Sequence, residues 1–168
     1  MTAEADTRLM SVALQLARDG LRTPGGAEVG AVIALNGQIV SSAFNEGELQ
    51  HDPTAHAEVV ALRRACQHLK TTSLEGSVLY CTLQPCGMCT MACLWAGVSR
   101  IVFGAGREDV NAVYFETRHA NTIDFICDAF RNDLEVSGGV LRQECASLYR
   151  KRDEPMPRGN DPAHETTK

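Results

Sequence analysis

The stretch from Gly76 to Phe103 restricts the fold more than any other part of the chain. Residues 77–82 read as a strand opened by Gly76. Pro85 stands where proline is favoured at a helix start, residues 86–96 continue that helix, Gly97 stops it, and residues 100–103 read as the next strand. Strand, helix, strand in that order calls for a right-handed crossover, so the strands around residues 79 and 102 are predicted to be parallel. Residues 29–35 and 38–44 are two further Val- and Ile-containing runs, and the Asn36-Gly37 pair between them signals a tight hairpin, hence an antiparallel pair. The spacing of Leu9, Met10, Ala13, Leu16 and Ala17 predicts a helix over 6–20 that ends at Gly20. Thr54 is the expected cap of a helix over 55–69 whose buried stripe is Val59, Leu62, Cys66 and Leu69. Beyond Gly106 the pattern predicts a helix over 122–130, a short strand over 134–136 and a last helix over 140–150. Residues 1–152 form the expected domain and 153–168 have the composition of a mobile tail. No internal repeat or second domain is visible.

With 168 residues, 44% hydrophobic and 22% charged, the chain has the apolar mass for a core, which excludes disordered and collagen-like readings. No apolar stretch approaches the roughly 18 residues of a membrane span, and MTAEADTRLM lacks the layout of a secretory signal. A cytoplasmic protein with no membrane partner is expected. Seven cysteines, at positions 66, 81, 86, 89, 93, 127 and 145, cannot all pair within one chain, so reduced thiols, some on a metal, fit better. A net charge of −5 argues against a surface that grips phosphate backbones throughout. The run Arg150-Lys151-Arg152 is partly cancelled by Asp153 and Glu154 and reads as a solvated helix end in preference to an RNA contact.

Two short segments carry the chemistry, His56-Ala57-Glu58 and Pro85-Cys86-Gly87-Met88-Cys89, each at a predicted helix start. Cys86 and Cys89 are three residues apart and share a helix face. Two thiolates and one imidazole make a three-ligand zinc site whose fourth position stays open, the arrangement of catalytic zinc. Cys93 lies one turn further on, away from the helix start, and reads as core. First-turn N–H groups and the positive dipole end favour thiolate and hydroxide there, and zinc lowers the pKa of bound water to about 7. At a helix start His56 reaches the metal while Glu58 reaches its water, takes a proton and passes it to a ring nitrogen and then to a departing amine. A lone H-x-E is usually accidental, and a lone C-x-x-C is ambiguous between redox pair and metal site. Their conjunction, with a strand between them, is the signature of zinc nucleobase deaminases.

From about residue 9 to 150 the chain resembles the cytidine deaminase-like superfamily, within it the nucleobase and tRNA adenosine deaminase branch. Val29-Gly30-Ala31-Val32 looks like its first core strand, and Asn45 falls where these enzymes keep an asparagine that hydrogen-bonds the base. Asp52-Pro53-Thr54-Ala55-His56-Ala57-Glu58 is similar to a guanine deaminase segment. Trp95 occupies the position of a tryptophan facing the purine, and Tyr114-Phe115-Glu116 resembles a stretch in which an acidic residue after phenylalanine contacts substrate or assists proton transfer. Against the tRNA enzymes, Gln84 stands for their glutamate, Gly87-Met88 replaces their Pro or Ala and Met, Thr90-Met91-Ala92 replaces an Ala-Gly-Ala run, and no Lys-Thr-Gly-Ala-Ala-Gly loop occurs near 109–116. The segment from Gly138 to Cys145 nonetheless resembles their tail.

The predicted elements and the resemblance together imply a three-layer α/β/α sandwich around a mixed five-stranded sheet. The implied reaction is hydrolytic loss of an exocyclic amino group as ammonia, with zinc on His56, Cys86 and Cys89, Glu58 and Glu116 as catalytic residues, and Asn45, Trp95 and Phe115 against the substrate. A small nucleobase-like substrate is expected, guanine ahead of cytosine, with tRNA adenosine deamination as the alternative and a noncatalytic zinc-stabilised binding domain as the rival from another class. Relatives in this branch imply a homodimer, with the helix over 86–96 as a contact.

Overall fold

Strand β3 (Ser77–Leu83) is buried at all seven positions, as a strand paired on both sides and covered on both faces must be. A computed structural model describes residues 2–114 and 133–151, and places β3 at the centre of a five-stranded sheet ordered β2-β1-β3-β4-β5. Its neighbours are β1 (Ala27–Leu35), antiparallel, and β4 (Arg100–Ala105), parallel as the crossover demands. The edges are β2 (Gln38–Asn45), antiparallel to β1, and β5 (Glu135–Gly138), parallel to β4. Between β1 and β2, Leu35 pairs with Gln38 around Asn36 (φ 52°) and Gly37 (φ 76°), the left-handed pair that a two-residue hairpin turn requires.

Side-chain alternation separates two cores. Ala31, Ile33, Leu79, Cys81 and Ile101 pack on one face beneath α3 (Ala57–Leu69) and α4 (Gly87–Ala96). Val32, Ala34, Val78, Tyr80 and Val102 pack on the other, under α1 (Ala3–Arg22) and near the short α5 (Arg142–Ala146). The three-layer mixed-sheet expectation is met. The remaining helix, α2 (Gly47–Gln50), was not foreseen because it buries no residue and so has no apolar period. Among the described residues no helix is long and apolar enough to cross a membrane.

Four helix boundaries differ from the sequence reading. Helix α1 begins at Ala3 and runs through Gly20 to Arg22, where Thr23 closes it by donating its N–H to the Gly20 carbonyl (3.0 Å). Helix α3 starts at Ala57 with His56 at its N-cap, because Thr54 gives its backbone N–H (2.8 Å) and hydroxyl (2.6 Å) to the Asp52 carboxylate instead of capping the helix. Helix α4 likewise starts at Gly87, with Cys86 at the N-cap and Pro85 ahead of it. Helix α5 stops at Ala146, so Arg150 and Lys151 are not a helix end. Asn111 instead donates its backbone N–H to the Arg150 carbonyl (2.9 Å) and its amide to that of Lys151 (3.4 Å). The predicted helix over 122–130, Phe115, Glu116, Cys127 and the 153–168 tail lie outside the described residues.

Candidate metal centre and its cavity

The turn at Asp52-Pro53-Thr54 delivers His56, and the end of β3 delivers Cys86. Asp52 holds the turn by accepting from Thr54 and from Arg63 (3.1 Å), hydrogen bonds that keep its carboxyl below the usual range. Both N-cap residues have extended backbone, and neither side chain caps its own helix. Their carbonyls accept from Val60 and Thr90, each at 2.9 Å, while their side chains remain available over the helix ends.

Those side chains converge. His56 Nδ1 lies 3.7 Å from Cys86 Sγ and 3.5 Å from Cys89 Sγ, and the two sulfurs are 3.5 Å apart. Tetrahedral zinc with bonds of about 2.3 Å to sulfur and 2.0–2.1 Å to nitrogen requires separations of about 3.8 Å between sulfurs and 3.6 Å between sulfur and nitrogen, so the donor set fits the ion. These three form the metal-ligating cluster found among the described residues; Cys93 is fully buried and takes no part in it. Zinc is thus an ion this donor set fits, and His56, Cys86 and Cys89 are the residues that would hold it. A hydrogen bond from the Cys89 thiol, aided by His56, brings Cys86 down to about 4, and Cys89 is correspondingly raised. Glu58, in the first turn of α3, is 4% exposed, and burial followed by the charge of Cys86 pushes its carboxyl up to about 7.

A cavity of about 310 Å³ opens over this centre. His56, Glu58 and Cys86 line it together with Asn45, and Val29 and Leu83 supply apolar wall. The Asn45 Oδ1 accepts from the Gly47 N–H (3.1 Å), which leaves its amide N–H groups as donors. Sequence reasoning missed Glu28 and Gln84, which also line the cavity. Glu28 interrupts an otherwise apolar strand start, and Gln84 directly follows a buried strand where the tRNA enzymes have glutamate. Tyr114 reaches the cavity too, its hydroxyl accepting from the Arg150 N–H (3.2 Å). A second, more open hollow of about 510 Å³ adjoins the first through Ala27, Asn45 and His56.

Trp95 corrects the expectation of a purine-facing residue. It is 85% exposed and does not line the cavity. At 3.6 residues per turn, nine residues carry it half a turn round α4 from Cys86.

Over residues 3–105 the chain matches the cytidine and deoxycytidylate deaminase zinc-binding region. It is 37% identical over 158 residues to the tRNA-specific adenosine deaminase of Haemophilus influenzae, covering 90% of this chain and 87% of that protein. It is 36% identical over 104 residues to the guanine deaminase of Bacillus subtilis, covering 62% and 67%. Among solved structures, one from a study of A-to-I editing by tRNA:A34 deaminases superposes with a TM-score of 0.67 at 32% identity, over 84% of this chain and 99% of that one. A guanine deaminase from Nitrosomonas europaea superposes with a TM-score of 0.75 at 25% identity, over 84% and 81%. A donor triad spaced for zinc, a buried acid beside it and a match spanning both helix starts make this chain a member of the cytidine and deoxycytidylate deaminase zinc-binding family, whose reaction is hydrolytic C–N deamination.

Proposed function

We propose that this deaminase acts on adenine within tRNA, converting adenosine to inosine with release of ammonia. One observation carries the choice of substrate: the likeness to the tRNA-specific adenosine deaminase of Haemophilus influenzae runs over 90% of the chain, whereas that to the Bacillus guanine deaminase stops at 62%. This reverses the order of preference reached from the sequence, where guanine stood first. The placement of Arg150 and Lys151 supports the RNA reading. Their backbone is held by Asn111 and by the hydroxyl of Tyr114, itself a cavity-lining residue, and both side chains are exposed, so two cations stand on this segment although the chain as a whole is acidic.

Zinc, when bound, supplies the Lewis acidity that makes water nucleophilic near neutral pH. As the water oxygen bonds the ring carbon, Glu58 accepts one proton from the water and delivers it to the adjacent ring nitrogen; the proton left on the new hydroxyl then passes to the amine as the C–N bond breaks and ammonia leaves. Burial suits Glu58 to the task because it raises the carboxyl toward neutrality, where the group both takes and returns protons. The apolar walls at Val29 and Leu83 flank a planar base, and Asn45 offers N–H donors to its edge. The exposed Trp95 and Met88 on α4 offer apolar surface to a second copy, in keeping with the implied homodimer.

Guanine deamination is the second reading, favoured by the higher TM-score of the Nitrosomonas enzyme. Zinc-loaded protein incubated separately with tRNA, an anticodon stem-loop, guanine and cytosine, with inosine and ammonia quantified, decides between them. Inosine in tRNA is expected, and Glu58→Gln is expected to slow it by about 10²–10⁴ while metal analysis still finds bound zinc. Ammonia from guanine with none from tRNA overturns the tRNA reading. No turnover of any substrate by zinc-loaded wild type favours the noncatalytic rival.

A further inference from the structure

Immediately after Asn45 stands a carboxylate that the reaction does not use. Glu46 is 5% exposed. Arg64 of α3 reaches it with Nη2 at 2.9 Å from Oε1 and 3.0 Å from Oε2, the Gln50 amide donates to Oε2, and Arg64 Nη1 also donates to the Ser42 carbonyl (3.2 Å). The backbone of the same residue binds on both sides: its N–H donates to the Ala55 carbonyl (2.9 Å), one residue before His56, and its carbonyl accepts from Gln50 (2.8 Å). Glu46 therefore joins the end of β2, helix α2, the turn leading to the zinc ligand and the helix that carries Glu58.

Only the Glu46 end of this ion pair is buried, so desolvation of the carboxylate and solvent screening at Arg64 both limit its net stability; its best-attested benefit is fixed geometry. We propose that Glu46 is a positioning residue, whose pairing with Arg64 sets Asn45 at the cavity wall relative to α3 so that the Asn45 amide meets the substrate. The backbone bond to Ala55 survives any side-chain change, so His56 and the zinc stay in place when the carboxylate is removed. The separable effect is on substrate binding.

The test compares Glu46→Ala, Glu46→Gln, Arg64→Ala and the Glu46→Ala/Arg64→Ala double variant with wild type, all zinc-loaded and assayed well below their melting temperatures. The choice of tRNA as substrate rests on the function proposed above. If wild type instead turns over guanine or cytosine, that substrate is used, so failure of the tRNA reading shows in wild type before any variant is judged. Expected are one zinc per chain, kcat within about threefold of wild type, and KM raised about tenfold, the worth of one hydrogen bond to substrate. The double variant should be no worse than Glu46→Ala, since both single changes break one link, and Glu46→Gln should recover part of the loss. If Glu46→Ala does not fold, Arg64→Ala decides, its side chain being 47% exposed. Unchanged KM in Arg64→Ala, additive effects in the double variant, or loss of zinc or of kcat in place of the KM effect overturns the proposal.

Discussion

Replacing Gly30 by alanine tests whether α1 and the sheet are in backbone contact. A Cβ at Gly30 would lie 2.0 Å from the Ala13 carbonyl oxygen, 2.8 Å from the Ala17 nitrogen and 3.0 Å from the Ala13 carbonyl carbon. All three are main-chain atoms of α1, so no side-chain rotation relieves them. The oxygen is about 1.4 Å inside the 3.4 Å at which ordinary contact begins, and the helix must lift by a comparable amount. That movement unseats Leu9, Met10, Ala13 and Ala17, all fully buried, and strains the bond from the Gly30 N–H to Thr82 Oγ1 (3.1 Å). Overpacking a core usually costs about 1–3 kcal/mol, and a clash with backbone belongs at the upper end. Weakening the buried hydrogen bond adds about 1 kcal/mol. At 2–4 °C per kcal/mol for a chain of this size, the expected fall in Tm is about 10 °C. Circular dichroism melts of zinc-loaded wild type and Gly30→Ala measure it. A fall below about 3 °C refutes the claim that α1 seats directly on the backbone of β1.

Two other perturbations probe features remote from the zinc. Burial works to raise the Asp6 carboxyl, but hydrogen bonds from Arg100 (2.9 Å to each oxygen) and the Tyr80 hydroxyl (2.7 Å) outweigh it and hold the group below its ordinary value. Arg100→Met, which strands this buried carboxylate, should cost about 3–5 kcal/mol at pH 7. Because the folded-state value is depressed, the Asp6 contribution is present above the unfolded pKa of about 3.9 and is lost as pH falls through the folded value. Urea midpoints taken from pH 7 to pH 3 should therefore drop further for wild type than for Arg100→Met; parallel curves would show that Asp6 gains nothing from the pairing. On the opposite layer, Trp95→Arg should turn a dimer into a monomer by sedimentation velocity with the zinc retained, and a dimer that persists removes α4 from the interface.

The parallel unit and the hairpin were legible because each is punctuated by residues with local conformational demands: Pro85 and Gly97 bracket one helix, and Asn36-Gly37 adopt the left-handed turn their types favour. The metal triad was legible because ligand chemistry admits few residue types, and two helix starts thirty residues apart supplied them. The start of α3 was not, since Thr54 as a cap looks identical in sequence to Thr54 engaged by Asp52, and only the folded turn distinguishes them. Trp95 lies half a turn round α4 from Cys86, so its helix phase separates it from the cavity that the resemblance implied it would face. Glu28 and Gln84 were invisible as cavity residues because their meeting depends on how β1 lies beside β3, which no local pattern encodes.

That pairing also explains why the site exists where it does. Strand β1 runs antiparallel to both β2 and β3, so its first residues lie at the same end of the sheet as the last residues of its two neighbours. Ala27 pairs with Asn45, and Leu83 and Gln84 finish β3 at that same edge, where α3 and α4 both begin. Ligands gather outside the carboxyl ends of parallel strands, and here the strand on one side of β3 is reversed, which leaves room for residues from the adjoining hairpin. Asn45 on the cavity wall is thus placed by a turn at the far end of β2, eight residues and about 25 Å away. Register along that hairpin decides which face Asn45 presents, and a slip of one residue would turn it to the opposite layer. The irregularities between Ala27 and Gly30 and between Ile33 and Ala34 adjust the register in passing, so the geometry of the catalytic cavity is set as much by the pairing of β1 with β2 as by the residues that touch the metal.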